Sequence, residues 1–398
     1  MYKRQTRAVA AATAGLAFGW CDSTWYSAVE AEVYAMSVFM TALCVWMMVK
    51  WAFCADRNRS SRLLVLIAYL FGLSIGIHLL NLLCIPALAM VWAIKRGVRS
   101  FRGILLLFLL SLLAVGCVLA GMIPSTISLA AEFELFAVNT LGFPYLWGVG
   151  AYVILLGVAL LLALTVTARS SNRGAVAAAV FPAIFLSGIF IFSSNFAAGA
   201  AVSAIVSLLL VRGHDFTPRR LNLCMWMLAM LLAGYSAYAI IPIRGDIPSP
   251  ANPSFPGDPF SFASYQAREQ YGGAPLLRGH TPLSRNILIE EFPDGDSVPV
   301  YRRIAMRRGH QIRAHLLPGA RLGDPYRTLT ASDSAENSRL LQAGRDAYVV
   351  KGYNVKPVTT PELDMWFPRI TSRDKADMQS FSDWAGTVSY THLRAHET

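Results

Sequence analysis

Charge is scarce in this sequence. Of its 398 residues only 15% are Asp, Glu, Lys or Arg, while 55% are hydrophobic and the mean hydropathy is +0.45. Soluble domains carry about a quarter charged residues, so an ordinary soluble protein is excluded over the whole length. Cysteine is missing from the C-terminal part: Cys21, Cys44, Cys54, Cys84, Cys117 and Cys224 all precede Arg244, and none has CxxC spacing. A disulfide framework or a cysteine zinc site after Arg244 is thereby excluded. There is no Walker-type phosphate loop, no GxGxxG and no HExxH, so nothing supports ATP hydrolysis or a nicotinamide cofactor. Internal repeats are absent too, and the one biased tract is a run of prolines between Pro248 and Pro259.

What is present is a series of long apolar runs, all before Arg244, followed by 155 residues with the balance of a soluble protein. A spanning helix needs about 20 apolar residues. Arg7 to Trp20 is short for this and reads as the remainder of a cut or buried span. Val33 to Phe53, Ile104 to Pro124, Tyr145 to Ala168, Ala175 to Asn195, Phe196 to Val211 and Leu221 to Pro242 each read as one crossing. Leu63 to Ile94 is too long for one upright helix.

The net charge of +11 could suggest nucleic acid, but its placement argues otherwise. Basic residues cluster in short loops between apolar runs: Arg57 to Arg62, Lys95 to Arg102, Arg169 to Arg173 and Arg212 to Arg220. Cytoplasmic loops of membrane proteins carry that excess. All four share a side only if Leu63 to Ile94 crosses twice, as a hairpin turning near Ser74 to Asn81. The expectation is an all-α polytopic membrane domain of about nine spans over residues 6–243. It is followed by an extracytoplasmic mixed α/β or irregular segment over 244–387. Ser125 to Pro144, with Glu132, Glu134 and Asn139, is expected as a separate interfacial helix ending in a Gly142-Phe143-Pro144 turn. Ser261 to Tyr271 is expected as a short helix capped by Ser261, and Tyr348 to Val358 as a strand.

The two ends stand apart. Met1-Tyr2-Lys3-Arg4-Gln5 and the stretch from Val388 to Thr398 resemble translated sequencing-adapter sequence. Residues 1–5 and 388–398 are therefore expected to be foreign to the gene, and His392 and His396 receive no role.

Four groups of residues could carry chemistry on the outer face of this topology. Glu30 and Glu32 lie at the mouth of a span among Trp25, Tyr26 and Tyr34; a carboxylate there could deprotonate a hydroxyl or hold a divalent ion near a phosphate. The plain alternative is a solvated helix start with acidic residues at the positive end of the helix dipole. His78 and Asn81, in Gly72-Leu73-Ser74-Ile75-Gly76-Ile77-His78-Leu79-Leu80-Asn81, are polar groups at membrane depth. Such groups face a cavity or a partner, or bond neighbouring helices. Arg244 ends the last span, where a guanidinium suits a lipid phosphate or simply anchors among headgroups. Arg268 and Tyr271 stand in Arg268-Glu269-Gln270-Tyr271-Gly272, by itself an ordinary helix end.

The order of these strings, with Asp364-Met365-Trp366-Phe367-Pro368-Arg369-Ile370 and Phe381-Ser382-Asp383-Trp384, resembles one family. It is a bacterial membrane family of formerly unknown function related to protein O-mannosyltransferases, and the resemblance covers nearly all of Arg7 to Gly386. It implies a GT-C glycosyltransferase of the bacterial inner membrane, working on the extracytoplasmic face. The donor would be a polyprenyl-phosphate sugar, mannose by the same resemblance. The acceptor would be a Ser or Thr of an exported protein, with no nucleic acid involved. Glu30 and Glu32 would be catalytic, and His78, Asn81, Arg244, Arg268 and Tyr271 would bind substrate. No protein metal site is expected, though a divalent cation could accompany the donor phosphate. In such enzymes the principal acid lies in the first outer loop, which on this resemblance would precede Arg7 and be absent here. A transporter or lipid flippase lined by His78 and Asn81, or a non-catalytic membrane scaffold, are the competing classes.

Overall fold

The structure, a computed structural model, describes residues 2–30, 33–212, 217–245, 247, 256–267, 278–280, 297–307, 310–314, 329–355 and 364–366. It divides into two units, one of Met1–Leu129 with Ala151–Ile243 and one of Ala130–Gly150 with Arg244–Thr398.

The first unit is helical. After α1 (Tyr2–Gly19) and α2 (Asp22–Val29), α3 (Tyr34–Ala52) is followed by α4 (Arg57–Ile75), whose N-cap Asp56 accepts the Arg59 N–H at 2.6 Å. The helix stops at Gly76, a short 3₁₀ turn (Leu79–Leu83) intervenes, and α5 (Cys84–Lys95) resumes. Lys95 Nζ donates to the carbonyls of Trp51 at 2.6 Å and Cys54 at 2.9 Å. That returns the end of α5 to the chain just before α4. The Tyr34 and His78 rings meet at the opposite end, 5.9 Å apart. The chain therefore reverses between Ile75 and Cys84, at the place the basic loops required.

Among the described residues, four helices are long and apolar enough to cross a membrane: Tyr34–Ala52, Phe101–Leu141, Trp147–Arg169 and Pro218–Gly245. The expected nine crossings are not supported among the described residues, and the reasons are physical. α9 (Arg173–Leu186) and α10 (Phe196–Arg212) have 14 and 17 residues. At 1.5 Å per residue they reach only about 21 and 26 Å, short of a hydrocarbon core of about 30 Å. α4 spends its first turns on Arg57, Arg59 and Arg62, and α1 carries Lys3, Arg4 and Arg7.

A second correction concerns the interfacial helix. α6 (Phe101–Gly116), a π-turn (Cys117–Met122), α7 (Ile123–Leu135) and a second π-turn (Phe136–Leu141) form one unbroken 41-residue helix. Pro124 lacks an N–H, and its ring crowds the carbonyl four residues back. The turn before it widens to π, with the Ile123 N–H bonding the Val118 carbonyl five residues back. A π-turn absorbs such an insult without ending the helix.

α8 (Trp147–Arg169) and α11 (Pro218–Tyr235), the latter running on to α12 (Ile240–Gly245), complete the helices of these long segments. α4 and α11 run parallel: Arg219 reaches Asn58 at one end, and Gly72 meets Leu231 toward the other. A Cβ on Gly72 would fall 2.0 Å from the Leu231 carbonyl oxygen, and one on Gly234 2.3 Å from that of Tyr69. The missing side chains let the two backbones touch.

In the second unit, α13 (Pro259–Gln266) is capped by Asp258, not Ser261. The carboxylate accepts from the Phe260 and Ser261 N–H groups at 3.0 and 3.1 Å. Pro259 occupies the first helical position, where its fixed φ and missing N–H cost nothing. Strands β2 (Ser297–Arg307), β3 (His310–Ala314) and β4 (Ala347–Val355) pair antiparallel in the order β3-β2-β4. β1 (Arg278–His280) and β5 (Asp364–Trp366) pair separately. α14 (Ala331–Gln342) starts in a Thr330–Asp333 capping box, and its Asn337 amide exchanges two hydrogen bonds with the backbone of Val350.

Candidate functional site

The 3₁₀ turn explains how the polar residues at the top of α3 meet. In a 3₁₀ winding, residues three apart eclipse, so His78, Asn81 and Cys84 share one face. On α3, Ser37, Thr41 and Cys44 share one face by α-helical spacing. The two faces bond. Thr41 Oγ1 lies 2.9 Å from the Ser37 carbonyl and 3.0 Å from Asn81 Oδ1. Asn81 Nδ2 donates to Cys44 Sγ at 3.7 Å, and Cys84 Sγ donates to Asn81 Oδ1 at 3.6 Å. Asn81 is 1% exposed. Its amide clamps the turn to α3.

His78 sits above this clamp, half-buried, as the N-cap of the turn. Its Nδ1 accepts the Leu80 N–H at 3.3 Å, which makes Nε2 the proton-bearing nitrogen that faces away from the turn. The Tyr34 ring packs beside it. Glu30 is exposed at the C-cap of α2, in extended conformation, four residues before Tyr34. Arg244 is exposed in α12, in the second unit. Glu32, Arg268 and Tyr271 lie outside the described residues. Thus His78 and Asn81 come together with Tyr34, Thr41, Cys44 and Cys84. The last three were missed by sequence reasoning, although their three- and four-residue spacing was there to be read. Among the described residues, no three His, Cys, Asp or Glu side chains converge as a metal site.

Two further features lie outside the four candidate groups. Gly72-Leu73-Ser74-Ile75-Gly76 has the spelling of a nucleophile elbow, GxSxG. That motif needs its serine exposed on a strand-to-helix turn. Here Ser74 is 1% exposed inside α4, and its hydroxyl donates to the Phe71 carbonyl at 2.8 Å. Gly72 serves helix packing against Leu231, and Gly76 ends the helix as its C-cap.

The other feature is Glu134, the most deeply buried carboxylate described, with no exposure. It accepts N–H groups from Leu146 at 2.6 Å, Gly148 at 3.0 Å and Val149 at 3.2 Å, and so caps the start of α8 from across a turn. Leu146 is held at φ +70°, and a Cβ on Gly148 would lie 2.3 Å from the Glu134 Cα. Tyr348 Oη lies 3.5 Å from the carboxylate, and the Tyr348 backbone is bracketed by the Asn139 side chain through two 2.8 Å hydrogen bonds. Burial pushes the Tyr348 hydroxyl far above the ordinary tyrosine range, and the charges of Asp258 and Glu134 add to it. The Tyr145 hydroxyl, also raised by burial, contacts the carbonyls of Ile304 and Ala347 and accepts the Ala347 N–H at 3.1 Å. Arg303 stacks over its ring at 4.2 Å. The carboxylate of Glu134, the amide of Asn139 and the hydroxyl of Tyr145 each answer backbone groups of the same unit. The network builds structure.

The model of one family, described as the protein O-mannosyl-transferase TMEM260 N-terminal domain, matches residues 2–100. No curated protein and no solved structure matches the chain. The matched stretch, roughly a quarter of the length, carries Glu30, Glu32 and the whole His78–Asn81 cluster. Over those residues the chain is similar to a domain of protein O-mannosyl-transferases.

Proposed function

We propose that the protein is a membrane glycosyltransferase. It would transfer a sugar, mannose, from a polyprenyl-phosphate donor to Ser or Thr hydroxyls of exported proteins on the extracytoplasmic face. The observation that carries this reading is the coincidence of the O-mannosyl-transferase match with the polar end of α3 and its 3₁₀ turn. The membrane-embedded helices fit a lipid-linked donor, whose prenyl chain stays in the bilayer while its phosphate reaches the interface.

In the reaction a carboxylate accepts the acceptor's hydroxyl proton as its oxygen bonds to the anomeric carbon. The bond between that carbon and the phosphate oxygen breaks, and polyprenyl phosphate leaves with the electron pair. Glu30, the described carboxylate nearest in sequence to this end of α3, and Glu32 are proposed as a second acidic site beside the principal base. His78 would donate from Nε2 to the leaving phosphate, a role its Nδ1 contact prepares. Asn81 would position His78, and Arg244, Arg268 and Tyr271 are proposed to contact donor or acceptor. A divalent cation, where used, would be shared with the donor phosphate.

The test is transfer of labelled mannose from polyprenyl-phosphate mannose to secreted proteins by membranes containing the full-length protein. Glu30→Gln, Glu32→Gln and His78→Ala should each lower transfer by about two orders of magnitude or more. Unchanged transfer would remove that residue from the site. Absence of transfer together with solute or lipid flux in liposomes would replace the proposal with a transporter.

A further inference from the structure

Between the first turns of α4 and α11 lies an open cleft of about 390 Å³, within the first unit and at the opposite end of these helices from Gly72 and Gly234. Its origin is geometric. The glycines bring the two backbones into contact near one end, and Val65, Leu223 and Trp226 line the opening toward the other. Two guanidinium groups, Arg62 and Arg219, line the cleft, and none of its lining residues is acidic. Asn58 Oδ1 accepts from Arg219 Nη2 at 2.7 Å and fixes that group over the opening. A guanidinium has five N–H donors, so this contact leaves most of them for a ligand. Arg57, Arg59 and Arg220 add charge on the same helix starts. The acid there, Asp56, is engaged by the Arg59 N–H.

Below the arginines the lining turns apolar, through Val65 and Leu223 to Trp226, which is 45% exposed. Charge at the helix starts followed by apolar surface along the same helix pair is the order of solvents a bilayer presents from headgroup to acyl chain. We propose that this cleft binds an anionic phospholipid. The phosphate is held by Arg62 and Arg219, where the planar fork of a guanidinium matches its oxygens, and the acyl chains lie along Val65, Leu223 and Trp226. The site is separate from the His78 cluster and does not depend on its chemistry.

The experiment uses the full chain purified in mild detergent, with retained lipid read by native mass spectrometry. Palmitoyl-oleoyl phosphatidylglycerol should be retained at least about tenfold over the phosphatidylcholine with the same chains. The Arg62→Gln/Arg219→Gln double variant should abolish that preference, while Arg99→Gln, in another basic loop, should keep it. Phosphatidylglycerol with brominated acyl chains should quench the fluorescence that is lost in Trp226→Phe. Equal retention of the two lipids by the unaltered chain would overturn the proposal, and that measurement does not depend on any variant folding. An equal loss in Arg99→Gln would overturn it as well, by showing a diffuse basic surface. Displacement of the lipid by millimolar inorganic phosphate, with no bromine quenching, would show a free-phosphate site instead.

Discussion

Removing the Glu134 carboxylate should be among the most damaging single changes to the second unit. The side chain is fully buried, and three N–H groups at the start of α8 end on its two oxygens at 2.6, 3.0 and 3.2 Å. The first N–H groups of a helix have no partner within the helix, so Glu134→Ala strands three donors at once. A hydrogen bond to a charged group contributes about 1.5–3 kcal/mol, and an unsatisfied buried donor costs about 1–3 kcal/mol. Three such losses are not additive, and the vacated side-chain volume can admit a water to one or two of the donors. A loss of about 3–5 kcal/mol is the reasonable expectation. For a domain of this size it corresponds to a fall in Tm on the order of 10 °C. Leu146, held at φ +70° by its bond to the carboxylate, should relax at the same time. Glu134→Gln retains one acceptor oxygen and should recover part of the loss. The assay is thermal unfolding in nanodiscs, with hydrogen exchange at Leu146, Gly148 and Val149 as the local readout. A Glu134→Ala protein melting within 1–2 °C of the parent, with those amides still protected, would refute the reasoning.

Gly72→Ala should destabilise the α4–α11 pair by at least about 1–3 kcal/mol, because its methyl group meets backbone that cannot rotate away. Gly116→Ala, with nothing within 4 Å of the added carbon, should be neutral or slightly stabilising in the same melt. The Asp333 carboxyl is held below its ordinary value, first by the Thr330 hydroxyl and backbone hydrogen bonds. A lowered folded pKa means that this contribution is complete above the unfolded value of about 3.9 and is lost as pH falls through the folded one. α14 should therefore fray in acid, and Asp333→Asn should flatten that part of the pH profile of circular dichroism. Asn81→Leu should impair sugar transfer mainly in kcat by releasing His78, with rescue by Asn81→Gln less complete than full; equal activity in all three would remove Asn81 as a positioning residue.

How much of this was legible follows from the range of the forces involved. The apolar run of Val33 to Phe53 became α3 at Tyr34–Ala52, and the one from Tyr145 became α8 at Trp147–Arg169, because hydrophobic length is a local property. The reversal after Ile75 was also readable, since charge placement on either side of Leu63 to Ile94 demanded it. The continuity of the helix through Pro124 was not. A proline followed by Glu132 and Glu134 has every sign of a stop, and only the π-turn before it and the distant donors of α8 keep the helix going. Ser261 is not the cap because Pro259 is already the first helical residue, which leaves the capping position to Asp258. β2 escaped assignment because Arg302, Arg303 and Arg307 blur its alternation, which the pairing to β4 overrides.

The site divides along the same line. His78 and Asn81 could be singled out by polarity at membrane depth, which is a statement about solvent. What each does could not, because that depends on which neighbour answers which atom. Asn81 turns out to spend its amide on Thr41, Cys44 and Cys84, so the costly polar group inside the apolar belt is a fixed support. His78, three residues earlier and on the same face, has its inner nitrogen tied to the backbone and its outer one directed away. A rigid amide beneath a half-buried imidazole is the arrangement a site needs if a proton or phosphate is to be met without the turn moving. The sequence interval of three between them, one full winding of a 3₁₀ turn, is what places the two on one face.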